Sequence, residues 1–290
     1  MAAADAYLMA VTSVIIPAHN EAEVIGRLLE QLLPVTGHAE FDVIVVANGC
    51  TDDTAGLAAS FGPAVKVVSI PVASKHEALV AGDRATGNFP RIYVDADVEL
   101  QGGDIRALSE VLQQPGVLAA APQRKVALAG RSWVVRWYYD VWTRLPEVQN
   151  GLFGRGVIGV SESGHTRIAE LPPLLADDLA ASLVFAPSET AIVSGASVVI
   201  HPPRTFTDLL RRRIRAVTTV SQIEKADVAQ GNSARTRPSH LIAIVRSNPF
   251  MAPRVAAFVA LALLARLRAR KALRNRDYST WLRDESSRRK

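Results

Sequence analysis

Val11-Thr12-Ser13-Val14-Ile15-Ile16-Pro17-Ala18-His19-Asn20-Glu21 decides the fold. The β-branched run predicts a strand ended by Pro17, and Asn20-Glu21 then opens a helical stretch. Its apolar residues Val24, Ile25, Leu28, Leu29, Leu32 and Leu33 recur at three and four, the spacing of one helix face. The same strand, loop and helix return downstream. Phe41 to Val46 reads as a second strand, followed by Asn48-Gly49 and by Thr51-Asp52-Asp53-Thr54, whose hydroxyls and carboxylates suit the cap of a helix through Ser60. Val65 to Ile70 predicts a third strand, His76 to Ala85 a helix, and Ile92 to Val94 a fourth strand. Strands alternating with helices of about ten residues indicate βαβ units and a mostly parallel α/β sheet covered on both faces. Ligands of such sheets sit beyond the carboxyl ends of the strands, so the loops after these strands converge on one crevice.

The fourth strand delivers the chemistry. Asp95-Ala96-Asp97 ends it with two carboxylates one residue apart, and side chains at i and i+2 of a strand point the same way. A hard divalent cation takes such oxygens. Mg2+ or Mn2+ is usually held by one or two carboxylates, with water and substrate phosphates filling its other positions. A polar turn after a strand is the plainer reading of three residues, and the surrounding loops weigh against it.

With 290 residues the chain can bury a large core, and its single cysteine, Cys50, leaves no intramolecular disulfide to form. The first ten residues carry no basic stretch before an apolar run, so a secretory signal is not expected and the expected location is cytoplasmic. Charge is uneven. Residues 204–290 hold 20 Lys and Arg against 6 Asp and Glu, a balance of +14, whereas the preceding part holds 13 against 22, or −9. A basic C-terminal part suits an anionic membrane surface, with a solvated helix face as the alternative; nucleic acid is not an expected partner.

The second half is less regular. Trp133, Trp137, Tyr138, Tyr139 and Trp142 cluster at helical spacing ahead of a glycine-rich segment, Asn150 to Gly156, which suits a mobile lid or an acceptor wall. Ala191 to Ile200 predicts a late strand ending at His201, and Phe206 to Gln222 a helix bearing Arg211, Arg212, Arg213 and Arg215. Eleven uncharged residues, Val255 to Ala265, rise about 16 Å as a helix, too short to cross a bilayer. They suit an interfacial helix, a helix buried on the main domain, or a homodimer contact.

The order of these pieces resembles family two glycosyltransferases of the GT-A fold. Val14 to Glu21 looks like that family's opening strand and loop, and Val45 to Thr54 like its second loop. Ser74 to Leu79, with Ala81-Gly82, looks like its lysine-bearing helix, Asp95-Ala96-Asp97 like its metal motif, and Asp177-Asp178 like its acidic pair. The resemblance spans about residues 11 to 220. It implies a GT-A domain over residues 1–220, donor site in the first half and acceptor site in the second, with a basic helical extension over 221–290. It implies inverting transfer of a sugar from a nucleoside diphosphate sugar to an acceptor hydroxyl on a lipid-linked, polysaccharide or natural-product acceptor. Asp97 would hold Mn2+ or Mg2+, with Asp95 on the ribose or the metal's waters and His201 as a further ligand. Asp178 would be the general base that takes the acceptor's proton, with Asp177 its neighbour. Pro17, Ala18, Asn20, Glu21, Asn48 and Lys75 would line the donor. The family commonly begins its second loop with two aspartates, here Ala47 and Asn48, which weakens uridine recognition. UDP is the expected donor base, with GDP and dTDP open.

Other classes fit less well. A sugar-nucleotide pyrophosphorylase needs a glycine-rich, arginine-bearing phosphate loop after the first strand, and a dinucleotide enzyme needs G-x-G-x-x-G there; no glycine precedes Gly26. The non-enzymatic alternative is a membrane-surface binding or scaffold protein that keeps the fold without turnover. Ala47 and the basic tail favour it, and the intact Asp95, Asp97 and Asp178 oppose it.

Overall fold

The structure is a computed structural model and describes residues 11–33, 41–170, 184–225 and 236–274. Seven strands form one sheet in the order β3-β2-β1-β4-β6-β5-β7. They are β1 (Ser13–Ala18), β2 (Asp42–Asn48), β3 (Val65–Ile70), β4 (Arg91–Val94), β5 (Ala119–Val126), β6 (Val157–Val160) and β7 (Thr190–Ile200). Strands β1 to β4 are parallel. The short β6 runs antiparallel to both β4 and β5, and β7 is parallel to β5. Reversing twice brings β5 and β7 back to the direction of β4. The carboxyl ends of six strands and the amino end of β6 therefore share one edge.

The helices that follow these strands are α1 (Ile25–Leu32), α2 (Thr54–Ala59), α3 (Lys75–Arg84), α4 (Gly102–Leu112), α5 (Trp133–Trp142), α6 (Pro146–Asn150), α7 (Glu162–Ala169), α8 (Phe206–Lys225), α9 (Pro238–Ser247) and α10 (Ala252–Arg274). The periodicity that predicts α1 is the face it buries: Ile25, Leu28, Leu29 and Leu32 are sealed against Val14, Ile16 and Val43. The opposite face of the sheet takes α3. There Gly82 lies so close to β1 that a Cβ on it would come within 2.4 Å of Ile15, so helix and strand approach nearer than any side chain permits. Ser74 caps α3 by accepting the Glu77 N–H at 3.3 Å.

Two expectations shift. Pro17 does not end β1, which continues through Ala18 with Pro17 opposite Val46. The ladder with β4 has already stopped at Ile15, so this end of β1 needs donors on one side only. Asn20 and Glu21 do not open α1 directly; a turn intervenes, and Val24 stands at the N-cap without a side-chain cap. The Thr51 to Thr54 turn meets the start of α2 through Asp52, which accepts the Thr54 N–H at 3.1 Å, and not through the N-cap residue Asp53.

A second core lies beyond the sheet. Val135, Tyr138 and Val141 of α5 pack with Leu209 and Leu210 of α8, Ile244 of α9, and Phe258, Leu261 and Ala265 of α10. Tyr138 stacks on Phe258 at 5.0 Å between ring centres; its burial pushes the phenol up to about 12.

Candidate functional site

The loops leaving β1 and β2 are tied to each other by side chains of the very residues the sequence singles out. Asn20, at φ +51°, does not cap a helix. Its side-chain oxygen accepts the Thr51 N–H at 2.7 Å. The short amide that tolerates this left-handed backbone thus reaches across to the second loop. Glu21 donates its N–H to the Thr54 hydroxyl at 2.8 Å, and Thr54 donates to Asp52 at 2.5 Å. Asp52 also accepts the N–H of Ala22 at 3.1 Å. Burial alone would raise the Asp52 carboxyl, but the Thr54 hydroxyl and the N–H groups of Ala22 and Thr54 hold it below its ordinary value. His19 meets the Asn48 carbonyl through Nδ1 at 2.6 Å. A carbonyl only accepts, so Nδ1 carries the proton. The lone Cys50 donates to the Ala18 carbonyl at 3.4 Å.

Gly49 makes the turn possible at φ +57°, and a Cβ there would lie 2.7 Å from the Ala73 nitrogen. The close approach seats the β3–α3 loop, and with it Lys75, over the second loop. Lys75 Nζ reaches Asp95 Oδ1 at 2.6 Å, both side chains about one-third exposed. Asn48 is only 2% exposed, and its side-chain oxygen is buried with no hydrogen-bond partner among the described residues.

Beyond β4 the burial alternates without a break. Val94, Ala96, Val98 and Leu100 are buried while Asp95, Asp97 and Glu99 are half-exposed, so three carboxylates, not two, follow the strand at partly exposed positions. Glu99 was not anticipated, although its place two residues past Asp97 continues the spacing that exposed the other pair. It bridges to β7 through paired backbone bonds with Val199, each 3.0 Å. Its carboxylate takes His201 Nε2 at 2.8 Å and sits 3.7 Å from Arg27. Arg27 also donates to the Asp97 carbonyl at 3.5 Å. Glu99 thereby links the end of β4 to the end of β7, and by accepting it fixes the proton on Nε2 and leaves Nδ1 as the ring's other nitrogen.

The glycine-rich segment enters this edge because β6 is reversed. The Gly156 carbonyl accepts the Asp95 N–H at 2.7 Å, and a Cβ on Gly156, at φ +66°, would lie 3.2 Å from an Asp95 carboxylate oxygen. Two arginines, neither anticipated, hold the segment from beneath. Arg155, 3% exposed, donates to the carbonyls of Gln149, Gly151 and Pro122. The Pro122 carbonyl lies where the β5–β7 register shifts between Pro122 and Gln123, a bulge that spoils its ladder. Arg124 donates to the Phe153 carbonyl at 2.8 Å and stacks on Trp142. Burial, with Arg155 nearby, lowers Arg124 to about 9, and burial lowers Arg155 to about 10, so both stay charged at neutral pH.

The structure thus brings Pro17, Ala18, Asn20, Glu21, Asn48, Lys75, Asp95 and Asp97 to one edge, with His201 at the end of β7 on that edge. Pro17 and Ala18 lie within β1. Asp177 and Asp178 lie outside the described residues. Among the described residues, no three His, Cys, Asp or Glu side chains gather as a ready metal set. The half-exposed Asp97 carboxylate nonetheless fits an ion that takes one or two protein ligands and leaves the rest to phosphates.

Comparison with known proteins places these loops in a family. The family model described as Glycosyl transferase family 2 matches residues 13–158. Uncharacterized glycosyltransferases of Mycobacterium tuberculosis and Mycobacterium bovis are 33% identical over 124 residues, covering 43% of this chain and 54% of theirs. The chain therefore spans about half the length of the curated relatives it matches. A mannosyltransferase of Pyrobaculum calidifontis, solved with GDP-Man and Mn2+, superposes with TM-score 0.59 at 19% identity, over 94% of this chain and 84% of that one. Glucosyl-3-phosphoglycerate synthase of Mycobacterium tuberculosis, solved with Mn2+, UDP-glucose and glycerol 3-phosphate, gives 0.55 at 22% identity, over 74% and 80%. These likenesses are of fold, the GT-A arrangement of a mostly parallel sheet between helices.

Proposed function

This chain belongs to glycosyl transferase family 2, and we propose that it moves a sugar from a nucleoside diphosphate sugar to an acceptor hydroxyl with inversion at the anomeric carbon. What supports this most is the meeting of the β1, β2 and β4 loops at one edge, with Lys75 on Asp95 and Asp97 beside them. Glu21 and the buried Asn48 face the nucleoside, and Lys75 offers a cation to the diphosphate. Asp97 would hold Mn2+ or Mg2+, with His201 as the second protein ligand and Asp95 on the ribose or on the metal's waters. When bound, the ion supplies positive charge against the diphosphate as it leaves. The neighbours solved with Mn2+ and a UDP or GDP sugar support that reading.

The chain's own residues do the rest. Arg155 and Arg124 fix the loop whose Gly156 carbonyl fixes the Asp95 backbone, so the carboxylate that meets the donor is positioned before substrate arrives. Asp178 takes the proton from the attacking hydroxyl on the face opposite the leaving diphosphate, as inversion requires. In a reducing, cytoplasmic compartment the Cys50 thiol keeps its bond to Ala18.

A thermal-shift screen of UDP, GDP, dTDP and CDP, with and without Mn2+, tests the proposal. A ligand at a hundred times its dissociation constant stabilises by about 2.7 kcal/mol. One nucleotide should give a metal-dependent shift. No shift with any of them would favour the binding or scaffold protein without turnover.

A further inference from the structure

Helix α10 buries one face and leaves another bare. Phe258, Leu261 and Ala265 are sealed in the second core and Ala269 is buried, while Leu263 and Leu267 stand 52% and 63% exposed beside the exposed Arg266, Arg268 and Arg270. A segment of this region, Pro249–Arg270, is long and apolar enough by length and composition to cross a membrane, yet its buried face is committed to α5 and α8, and Arg254 pairs with Asp140 at 3.0 Å. Lying in an interface keeps those contacts; crossing the bilayer breaks them.

The bare face is level with other exposed aromatics. Asp140 pairs with Arg254 and Tyr138 stacks on Phe258, so α5 and α10 run antiparallel. Trp133, five residues before Tyr138, is therefore level with the fifth residue after Phe258, which is Leu263, since both helices rise about 1.5 Å per residue. Trp133 is 62% exposed. The Ser132 N–H bonds the Arg204 carbonyl at 3.1 Å, bringing the start of α8 and the 40% exposed Phe206 to the same end. Trp133 and Phe206 begin the helices that follow β5 and β7, whose carboxyl ends lie at the edge that carries Asp95 and Asp97. Exposed apolar side chains interleaved with arginines thus flank the site.

We propose that this end of the helical layer, Trp133, Phe206, Leu263 and Leu267 with Arg266, Arg268 and Arg270, docks on an anionic lipid bilayer. It turns the catalytic edge toward the membrane, where the acceptor hydroxyl is borne by a lipid. The acceptor part rests on the glycosyltransferase reading above; the docking does not. Charge decides the occupant. Residues 204–290 carry a balance of +14, so a second copy of this chain would set arginine against arginine, whereas anionic headgroups attract them and the tryptophan and leucines enter the acyl boundary.

The full chain is sedimented with phosphatidylcholine vesicles and with vesicles containing phosphatidylglycerol. Binding should require the anionic lipid and weaken about fivefold for each of Arg266→Gln, Arg268→Gln and Arg270→Gln. The pair Leu263→Ser and Leu267→Ser should lower it by about tenfold or more. Brominated lipid should quench tryptophan emission in the native chain and much less in Trp133→Phe. These positions are exposed, so folding is checked by each variant's thermal midpoint and by its nucleotide shift. A retained nucleotide shift without vesicle binding overturns the docking and leaves the donor site standing; vesicle binding without any nucleotide shift does the reverse. Equal binding to neutral vesicles, or a dimer abolished by Leu267→Ser in place of vesicle binding, also overturns it.

Discussion

Replacing Thr54 with valine removes one hydroxyl and should loosen the donor edge. Thr54 is fully buried, accepts the Glu21 N–H at 2.8 Å and donates to Asp52 at 2.5 Å. Valine keeps the shape and deletes both bonds. Glu21 is itself 7% exposed, so its N–H loses its partner with little access to water, which costs about 1–3 kcal/mol. The bond to the Asp52 carboxylate adds about 1 kcal/mol, less than a buried charged hydrogen bond because Asp52 is exposed and water replaces the hydroxyl. Thr54→Val should therefore lose about 2–4 kcal/mol, a large share of a typical stability of about 5–15 kcal/mol. Urea unfolding with an unchanged m-value measures it. The shift induced by the cognate nucleotide should shrink in the same protein, corresponding to donor binding roughly tenfold weaker as the loop loses its preorganisation. Thr54→Ser keeps the hydroxyl and should cost only about 1 kcal/mol for the lost methyl. If serine destabilised as much as valine, or if valine unfolded at the native urea concentration, the hydroxyl would not be what joins the two loops.

Gly49→Ala should destabilise by about 2 kcal/mol or more, because φ +57° strains an alanine and its Cβ meets the Ala73 backbone at 2.7 Å; the thermal midpoint reports it. Lys75→Met breaks a partly exposed ion pair, so stability should change by about 1 kcal/mol or less, while donor affinity by calorimetry falls clearly. Asp97→Ala should abolish transfer together with metal-assisted donor binding. Asp178→Asn should leave donor affinity nearly intact while turnover falls by a factor of about 10² to 10⁴; equal loss of donor binding in both variants removes the base assignment. The lowered Asp52 carboxyl contributes stability that is present above its ordinary value of 3.8 and lost as pH falls through the lower folded value. Asp52→Asn should flatten the fall of stability below about pH 4, and an unchanged acid limb in urea titrations would count against the Thr54–Asp52 bond.

The parallel half was legible in residues 11 to 97 because β1 to β4 carry short apolar runs and α1 has an apolar face. Leu28, Leu29 and Leu32 are fully or almost fully buried because their spacing leaves them no other place. The far half was less so. Strand β6 is only four residues, Val157-Ile158-Gly159-Val160, behind a glycine-rich segment that reads as loop, and β5 begins with three alanines and contains Pro122. Neither carries a period that composition can show. Their pairing is set by tertiary contact: the Leu112 side chain lies where a Cβ on Gly159 would come within 2.6 Å. At this edge, spacing singled out Asp95 and Asp97 and the family resemblance singled out Lys75, while Glu99, Arg124 and Arg155 were passed over. Glu99 repeats the two-residue step and was within reach. The arginines were not, since their partners are backbone carbonyls of a loop and no sequence pattern records a carbonyl.

That difference follows the division of labour at the catalytic edge. The donor loops are held by side chain to backbone bonds between near-consecutive βα units, Asn20 to Thr51 and Thr54 to Glu21, and such bonds need particular residue types at particular places. The wall that faces them is held by its main chain, through the Gly156 carbonyl on Asp95 and through two guanidinium groups on the carbonyls of residues 122, 149, 151 and 153. Leu152 is buried with Ala119, Ala121 and Phe185, and Phe153 packs against the second core, so apolar side chains hold this wall together with its carbonyls. On the proposed glycosyltransferase reading, a loop anchored in that way holds the Asp95 backbone through its own main chain, so the donor side is written in motifs and the wall that faces it is not.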